Sequence, residues 1–104
     1  MKDLEGFQRK YLRGIAHGLK PVVLVGQKGL TPEVLSSTEK ALERHELIKV
    51  KFHDVKEKDK KREISDRIEK ETGAQNVGMI GHKIIFYRQN KDPEERRISL
   101  PQRV

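Results

Sequence analysis

The sequence contains no cysteine and no tryptophan, and it has only two tyrosines and three phenylalanines among 104 residues. Without thiols there is no disulfide framework, no thiolate zinc site and no cysteine nucleophile. The longest aliphatic run, Val22-Val23-Leu24-Val25, falls far short of the ~20 residues that a bilayer-spanning helix needs. The opening Met1-Lys2-Asp3-Leu4-Glu5 lacks the apolar stretch of a secretion signal. Together these absences lead us to expect a cytoplasmic protein with no membrane association. Leu, Ile, Val and Phe number 28 of the 104 residues, above the ~20% below which a highly charged chain stays disordered. That supply suits one modest core, so a single domain over residues 1–104 is expected.

Positive charge is what the chain has in excess, and its distribution matters more than its sum of +7. Solubility needs charge anywhere, whereas a polyanion partner needs it gathered. Residues 1–30 hold six Lys/Arg against two acids, and residues 47–53 and 74–88 each hold two against none. Residues 31–46 are net acidic, with four Glu against two bases. The conspicuous Lys56-Glu57-Lys58-Asp59-Lys60-Lys61-Arg62-Glu63 block lies in a stretch, 54–73, that balances seven against seven. It reads as a solvated loop and helix start.

Hydrophobic periodicity divides the chain into elements. Leu4, Phe7, Tyr11, Leu12 and Ile15 recur at helical spacing with Arg9, Lys10 and Arg13 between them, which predicts an amphipathic helix over 4–17 with a basic outer face. Val22–Val25 is short, mostly β-branched and without alternation, the pattern of a buried strand. Thr31-Pro32 is a helix start, a hydroxyl N-cap followed by proline where its missing N–H costs nothing. Val34, Leu35, Thr38, Ala41 and Leu42 form that helix's inner face. From Leu47 the period becomes two, with Ile48, Val50 and Phe52 on one side and Lys49, Lys51 and His53 on the other, a half-buried strand. A third helix is expected from about residue 61 to Gly73, around Ile64 and Ile68. Two strands, 74–80 and 83–88, flank Gly81-His82, a link suited to a hairpin. Residues 89–104 read as a loop or tail from which Ile98 and Leu100 tuck back onto the body. The order α-β-α-β-α-β-β implies two crossover units and a final antiparallel strand, hence an α/β fold with a four-stranded mixed sheet.

One segment carries a candidate chemistry. Gly26-Gln27-Lys28-Gly29 turns from a strand into a helix N-terminus, where open backbone N–H groups and the helix dipole favour anions. Lys28 adds a full charge, Gln27 a side chain able to bond a phosphate or sugar oxygen, and the glycines allow close approach. The same four residues also suit a tight turn that needs glycine for geometry alone, and both readings stand at this point. Enzyme apparatus is missing. Neither mononucleotide nor dinucleotide glycine spacing is present, His45-Glu46 lacks the second His of a zinc protease helix, and Ser36, Ser37, Ser65 and Ser99 sit in no nucleophile-elbow context. His17, His53 and His82 have no partner at ligand spacing. We expect no catalytic residue, no metal, no cofactor and no small-molecule substrate.

The chain resembles the CRM domain, the chloroplast RNA splicing and ribosome maturation domain, in its stand-alone bacterial YhbY-like form. The resemblance runs through Gln8-Arg9-Lys10-Tyr11-Leu12-Arg13, Ala16-His17-Gly18-Leu19-Lys20-Pro21-Val22-Val23, Val25-Gly26-Gln27-Lys28-Gly29-Leu30-Thr31, His45-Glu46-Leu47-Ile48-Lys49-Val50-Lys51, Thr72-Gly73-Ala74, Ile80-Gly81, Tyr87-Arg88 and Leu100-Pro101, while Asn76-Val77-Gly78-Met79 is less typical. It implies a two-layer fold similar to the C-terminal domain of bacterial translation initiation factor three, with sheet order 1-2-4-3 and one sheet face largely uncovered. It further implies a non-catalytic RNA-binding protein in ribosome biogenesis, associated with ribosomal RNA in precursors of the large subunit, with the GxxG loop at 26–29 touching RNA. Plant relatives carry the domain in proteins that help organellar introns fold.

Beside the loop, the residues extend one candidate surface: Lys20 before the first strand, Lys49 and Lys51 along the second, Lys83 and Arg88 flanking the last, and Arg9, Lys10 and Arg13 on the first helix. Phe7, Phe52 and Phe86 look like core, so backbone and shape recognition of folded RNA is expected over aromatic stacking. Two alternatives share this chain: an intron-folding or general RNA chaperone on the same scaffold, and a protein-interaction adaptor whose contact face is the acidic helix at 31–46. A monomer is expected.

Overall fold

The computed structural model describes residues 3–103. Three helices and four strands follow in the order α1 (Gly6–Ala16), β1 (Val23–Val25), α2 (Pro32–His45), β2 (Leu47–Phe52), α3 (Lys58–Thr72), β3 (Gln75–Ile80) and β4 (Lys83–Tyr87), with a short 3₁₀ turn at Pro93–Glu95. The sheet order is β1-β2-β4-β3, with β1 parallel to β2 and β4 antiparallel to both its neighbours. This is the mixed sheet expected from the sequence, with the strand order implied by the resemblance.

Local chemistry explains the boundaries. The Thr31 hydroxyl accepts from Val34 N at 3.2 Å and Pro32 follows it, so α2 starts where its N-cap dictates. At the start of α1 the Gln8 side chain accepts from Glu5 N at 3.0 Å, half of a capping box. Gly73, with φ 77°, closes α3 and donates to Glu69 O at 2.9 Å. Gly81, with φ 61°, makes the two-residue turn between β3 and β4. Helix α3 begins three residues before the periodicity suggested, because Lys58, Asp59 and Lys60 form an exposed first turn, with Asp59 favoured there by the helix dipole, and leave no apolar signal.

Apolar groups divide between the two sheet faces. On one, Val23, Val25, Ile48, Val50, Phe52, Ile84 and Phe86 pack against Leu42, Ile64 and Ile68 of α2 and α3. On the other, Leu12 and Ala16 of α1 cover Leu47, Val77, Ile85 and Tyr87, with Ile98 and Leu100 of the C-terminal segment beside them. The second face is therefore covered at one end only, more than the resemblance implied. At its other end the edge strand β1 leaves Val22 and Leu24 exposed, 50% and 63%. That corrects the expectation of a strand buried on both sides: the run lacks alternation in sequence, but its second face is left exposed among the described residues. Leu47 and Lys49, by contrast, are buried on the supposed solvent side of β2 because α1 crosses there. Phe7 is only half-buried, with the Arg103 guanidinium 5.7 Å from its ring centre.

The outer edge of β3 is sealed by α1. Arg9 donates to Asn76 O and Arg13 to Val77 O, 3.2 Å in the second case, at the point where the β3–β4 register shifts between Asn76 and Gly78. A Cβ on Gly78 would lie 3.0 Å from Arg13 Cδ, so the absence of a side chain there makes room for the arginine stem. Two arginines satisfying edge carbonyls remove a template for unwanted strand pairing.

At the sheet end where β2 begins, Glu46 is fully buried. Its carboxylate accepts from the backbone N–H groups of Asn90 at 2.7 Å, Arg97 at 2.7 Å and Ile98 at 3.0 Å. A buried carboxylate is tolerable only with such compensation, and here the compensation fixes the C-terminal segment against the sheet. Tyr87 lies nearby, its hydroxyl buried and without a hydrogen-bond partner among the described residues. Burial, then the Glu46 charge, pushes its pKa up to about 12.

Candidate nucleic-acid interface

The opposite end of the sheet gathers the basic residues. His53 N donates to Val25 O at 2.8 Å and Phe52 N to His82 O at 2.7 Å, so the ends of β1 and β2 and the β3–β4 turn lie side by side. The loop 26–29 leaves from this end. It is a four-residue turn in which Gly29 N donates to Gly26 O at 3.0 Å, followed by Thr31 N to Gly29 O at 3.0 Å. These two N–H groups are therefore used inside the turn and are not open to an anion. Gly29 has φ 75°, so there glycine serves geometry. Gly26 has no positive φ, and a Cβ on it would meet nothing within 4 Å. Turn geometry accounts for one glycine and leaves the other free for close approach by a partner. Gln27 and Lys28 are exposed.

Lys51 and Lys83 face one another across β2 and β4, and Lys51 in turn faces Leu24 of β1. Facing like charges on neighbouring strands destabilise a sheet, and folding gains nothing from them; an anion held between them removes the repulsion. Both line a cleft of about 460 Å³ with His17, Lys49, Ile80, Gly81, His82 and Ile85, a set that contains no carboxylate. Lys60 reaches the glycine loop from α3, its Nζ donating to Gln27 O at 3.4 Å. Its charge did not stand out along the chain because the stretch it belongs to, 54–73, balances seven bases against seven acids. Only the helix start beside the loop singles it out. Lys61, next in sequence, is buried, lies 5.9 Å over the Phe52 ring centre and bonds His82 Nδ1 at 2.7 Å; it fastens α3 to the hairpin turn.

Several residues assigned to this surface from the sequence are used elsewhere. Lys49 is buried, and its ammonium donates to His17 O at 3.4 Å and Leu19 O at 3.0 Å, closing the C-terminal end of α1. Arg88 points to the α2–α3 face at the Glu46 end, where it pairs with Glu39 at 2.7 Å and Glu43 at 3.1 Å and donates to Thr72 O at 2.9 Å. Arg9 and Arg13 seal β3 as described, on the sheet edge away from the loop. Lys10 and Lys20 are exposed, Lys10 on the outer face of α1 near Phe7, Tyr11 and Pro101. The structure brings together the 26–29 loop, Lys51 and Lys83, adds Lys60 and His82, and takes Lys49, Arg88, Arg9 and Arg13 out of the group. Among the described residues there is no cluster of three or more potential metal ligands, and no helix is long and apolar enough to cross a membrane.

A small mixed-sheet α/β domain, with Lys28, Lys51 and Lys83 lacking a polar partner among the described residues at one sheet end and the ion-paired Arg88 at the other, defines the class. The chain belongs to the CRS1 / YhbY (CRM) domain family, whose model matches residues 4–88. It is 43% identical over 103 residues to a Haemophilus influenzae protein named "RNA-binding protein", covering 99% of this chain and all of that one. It is 36% identical over 98 residues to the Bacillus subtilis "Probable RNA-binding protein YqeI", covering 94% of this chain and 99% of that one. The solution structure of the hypothetical protein SAV1595 from Staphylococcus aureus superposes with a TM-score of 0.78 at 32% identity, over 95% of this chain and all of that chain.

Proposed function

We propose that this protein binds structured RNA through the lysine-bearing end of its sheet, without catalysis, and that its RNA is ribosomal RNA in precursors of the large subunit, whose assembly it assists as a cytoplasmic monomer. The observation that carries RNA binding is the facing pair Lys51 and Lys83, in a cleft free of carboxylates, beside the exposed Lys28. Phosphate contacts from separate lysines supply affinity that falls with salt. Family membership and the names of the relatives agree with RNA as the polyanion. The assembly role rests on the family resemblance alone. The adaptor alternative loses ground on one point: Glu39 and Glu43, the centre of the acidic helix, already share Arg88.

The test is binding of purified protein to large-subunit ribosomal RNA and to an intron RNA of similar length across a salt series. Tight binding to the ribosomal RNA with a linear log–log salt dependence supports the reading, and preference for its immature form supports the assembly role. Equal affinity for the intron RNA favours a general RNA chaperone. No binding to pure RNA, with co-sedimentation on precursor particles, favours a protein contact.

A further inference from the structure

The carboxylate-free cleft has a shape and a donor pattern that phosphate binding does not require. Its inner wall is apolar: Ile85 is buried, Ile80 is 60% exposed at the rim, and Lys49, with its ammonium turned to the carbonyls of His17 and Leu19, contributes its methylene stem. The polar side chains that line it are lysines and imidazoles, with no carboxylate, amide or hydroxyl among them. A lysine ammonium can only donate, so its bond to His82 Nδ1 makes that nitrogen the acceptor and leaves the ring proton on Nε2. His82 thereby joins Lys51 and Lys83 as a donor.

We propose that this cleft takes one unpaired nucleotide of the bound RNA, its base against Ile80, Ile85 and the Lys49 stem and its phosphate between Lys51 and Lys83. The inference rests on the RNA-binding reading and adds to it a preference for RNA with a splayed base. Charge and chemistry select this occupant. A nucleobase combines flat apolar faces with an acceptor-rich edge and is tethered to an anion, which matches an apolar wall, donors and a facing lysine pair. A peptide strand would bring N–H donors that need acceptors these side chains do not supply. At about 460 Å³ the space suits a nucleotide-sized group and not a paired duplex. No phenyl or indole ring lines the cleft, so the base contact is made by aliphatic and imidazole faces.

The experiment compares two RNA duplexes of equal length, one fully paired and one with a single bulged nucleotide, against the native protein and Ile80→Ser. Ile80 is exposed, so the change keeps net charge and spares the core. The native protein should prefer the bulged duplex by about ten-fold, and in Ile80→Ser the ratio of the two affinities should fall close to one. Amide resonances of residues 80–85 should shift on addition of uridine or guanosine 5′-monophosphate more than on addition of inorganic phosphate. Tight and equal binding of both duplexes by the native protein overturns the cleft assignment and leaves RNA binding intact. Failure to bind either duplex overturns both.

Discussion

The two ends of the sheet carry similar side chains in opposite states. Where β2 begins, the charges are satisfied from within: Glu46 holds three backbone N–H groups of the C-terminal segment, and Arg88 is shared by Glu39, Glu43 and Thr72 O. Where β2 ends, Lys51 faces Lys83, and the exposed Lys28 projects from a loop whose turn is closed by its own backbone. One end uses its charges to hold the chain together; the other adds, to the bonded Lys49, Lys60 and Lys61, three lysines, Lys28, Lys51 and Lys83, that have no polar partner among the described residues. A cation's meaning thus depends on its neighbours, and the basic residues of this protein divide into structural and binding sets on that criterion.

Substitutions should separate the two sets, and the largest effect falls at the structural end. Replacing Glu46 with Ala leaves buried N–H donors unpaired, and we expect a loss on the order of 3 kcal/mol in folding stability, read from the urea midpoint, with the RNA affinity of the remaining folded protein unchanged. At the other end the signs oppose one another. Lys51→Gln/Lys83→Gln should weaken RNA binding about ten-fold and lower the log–log salt slope by about two, while stability rises by a few tenths of a kcal/mol, roughly the repulsion removed. A double variant that loses stability and keeps its RNA affinity would reverse the assignment.

Tyr87 offers a pH test of the buried end. Its folded pKa of about 12 lies above the ordinary value of 10.0. The unfolded chain therefore releases this proton first, so the folded state is unaffected below pH 10 and loses stability as pH rises from 10 toward 12, by roughly 2–3 kcal/mol. Urea unfolding at a series of alkaline pH values measures the loss, and Tyr87→Phe should abolish that component at little cost near neutral pH, since the hydroxyl has no partner among the described residues. The smallest effect is expected for Arg88→Gln. Half-exposed ion pairs contribute little, so a loss of about 1 kcal/mol or less should come with unchanged RNA affinity.

Much of this was legible before the structure was known. The caps at Thr31 and Gly73, the alternation from Leu47 to Phe52 and the Gly81-His82 turn each specify their element locally, and the order of elements constrains the sheet. What periodicity does not carry is which face a second layer reaches. Leu24 reads as core and is exposed, and Lys49 reads as surface and is buried, for one reason: α1 crosses the sheet over β2 and stops short of β1. The site was half legible. Lys28, Lys51 and Lys83 stood out as unopposed charge, but the partners of Arg9, Arg13 and Arg88 lie between 16 and 67 residues away and leave no trace in a count of charge along the chain. Lys60 was hidden for the converse reason: the stretch 54–73 sums to zero, while its contact with the Gln27 carbonyl is made 33 residues away in sequence.

The most direct test sets Lys28→Gln against Arg88→Gln, which change net charge equally and differ only in which end of the sheet they touch. Binding of each to large-subunit ribosomal RNA at two salt concentrations should show Lys28→Gln weakened with a shallower salt slope and Arg88→Gln indistinguishable from the native protein. Equal losses from the two variants would mean that net charge alone drives binding and that the division between the two ends has no functional content.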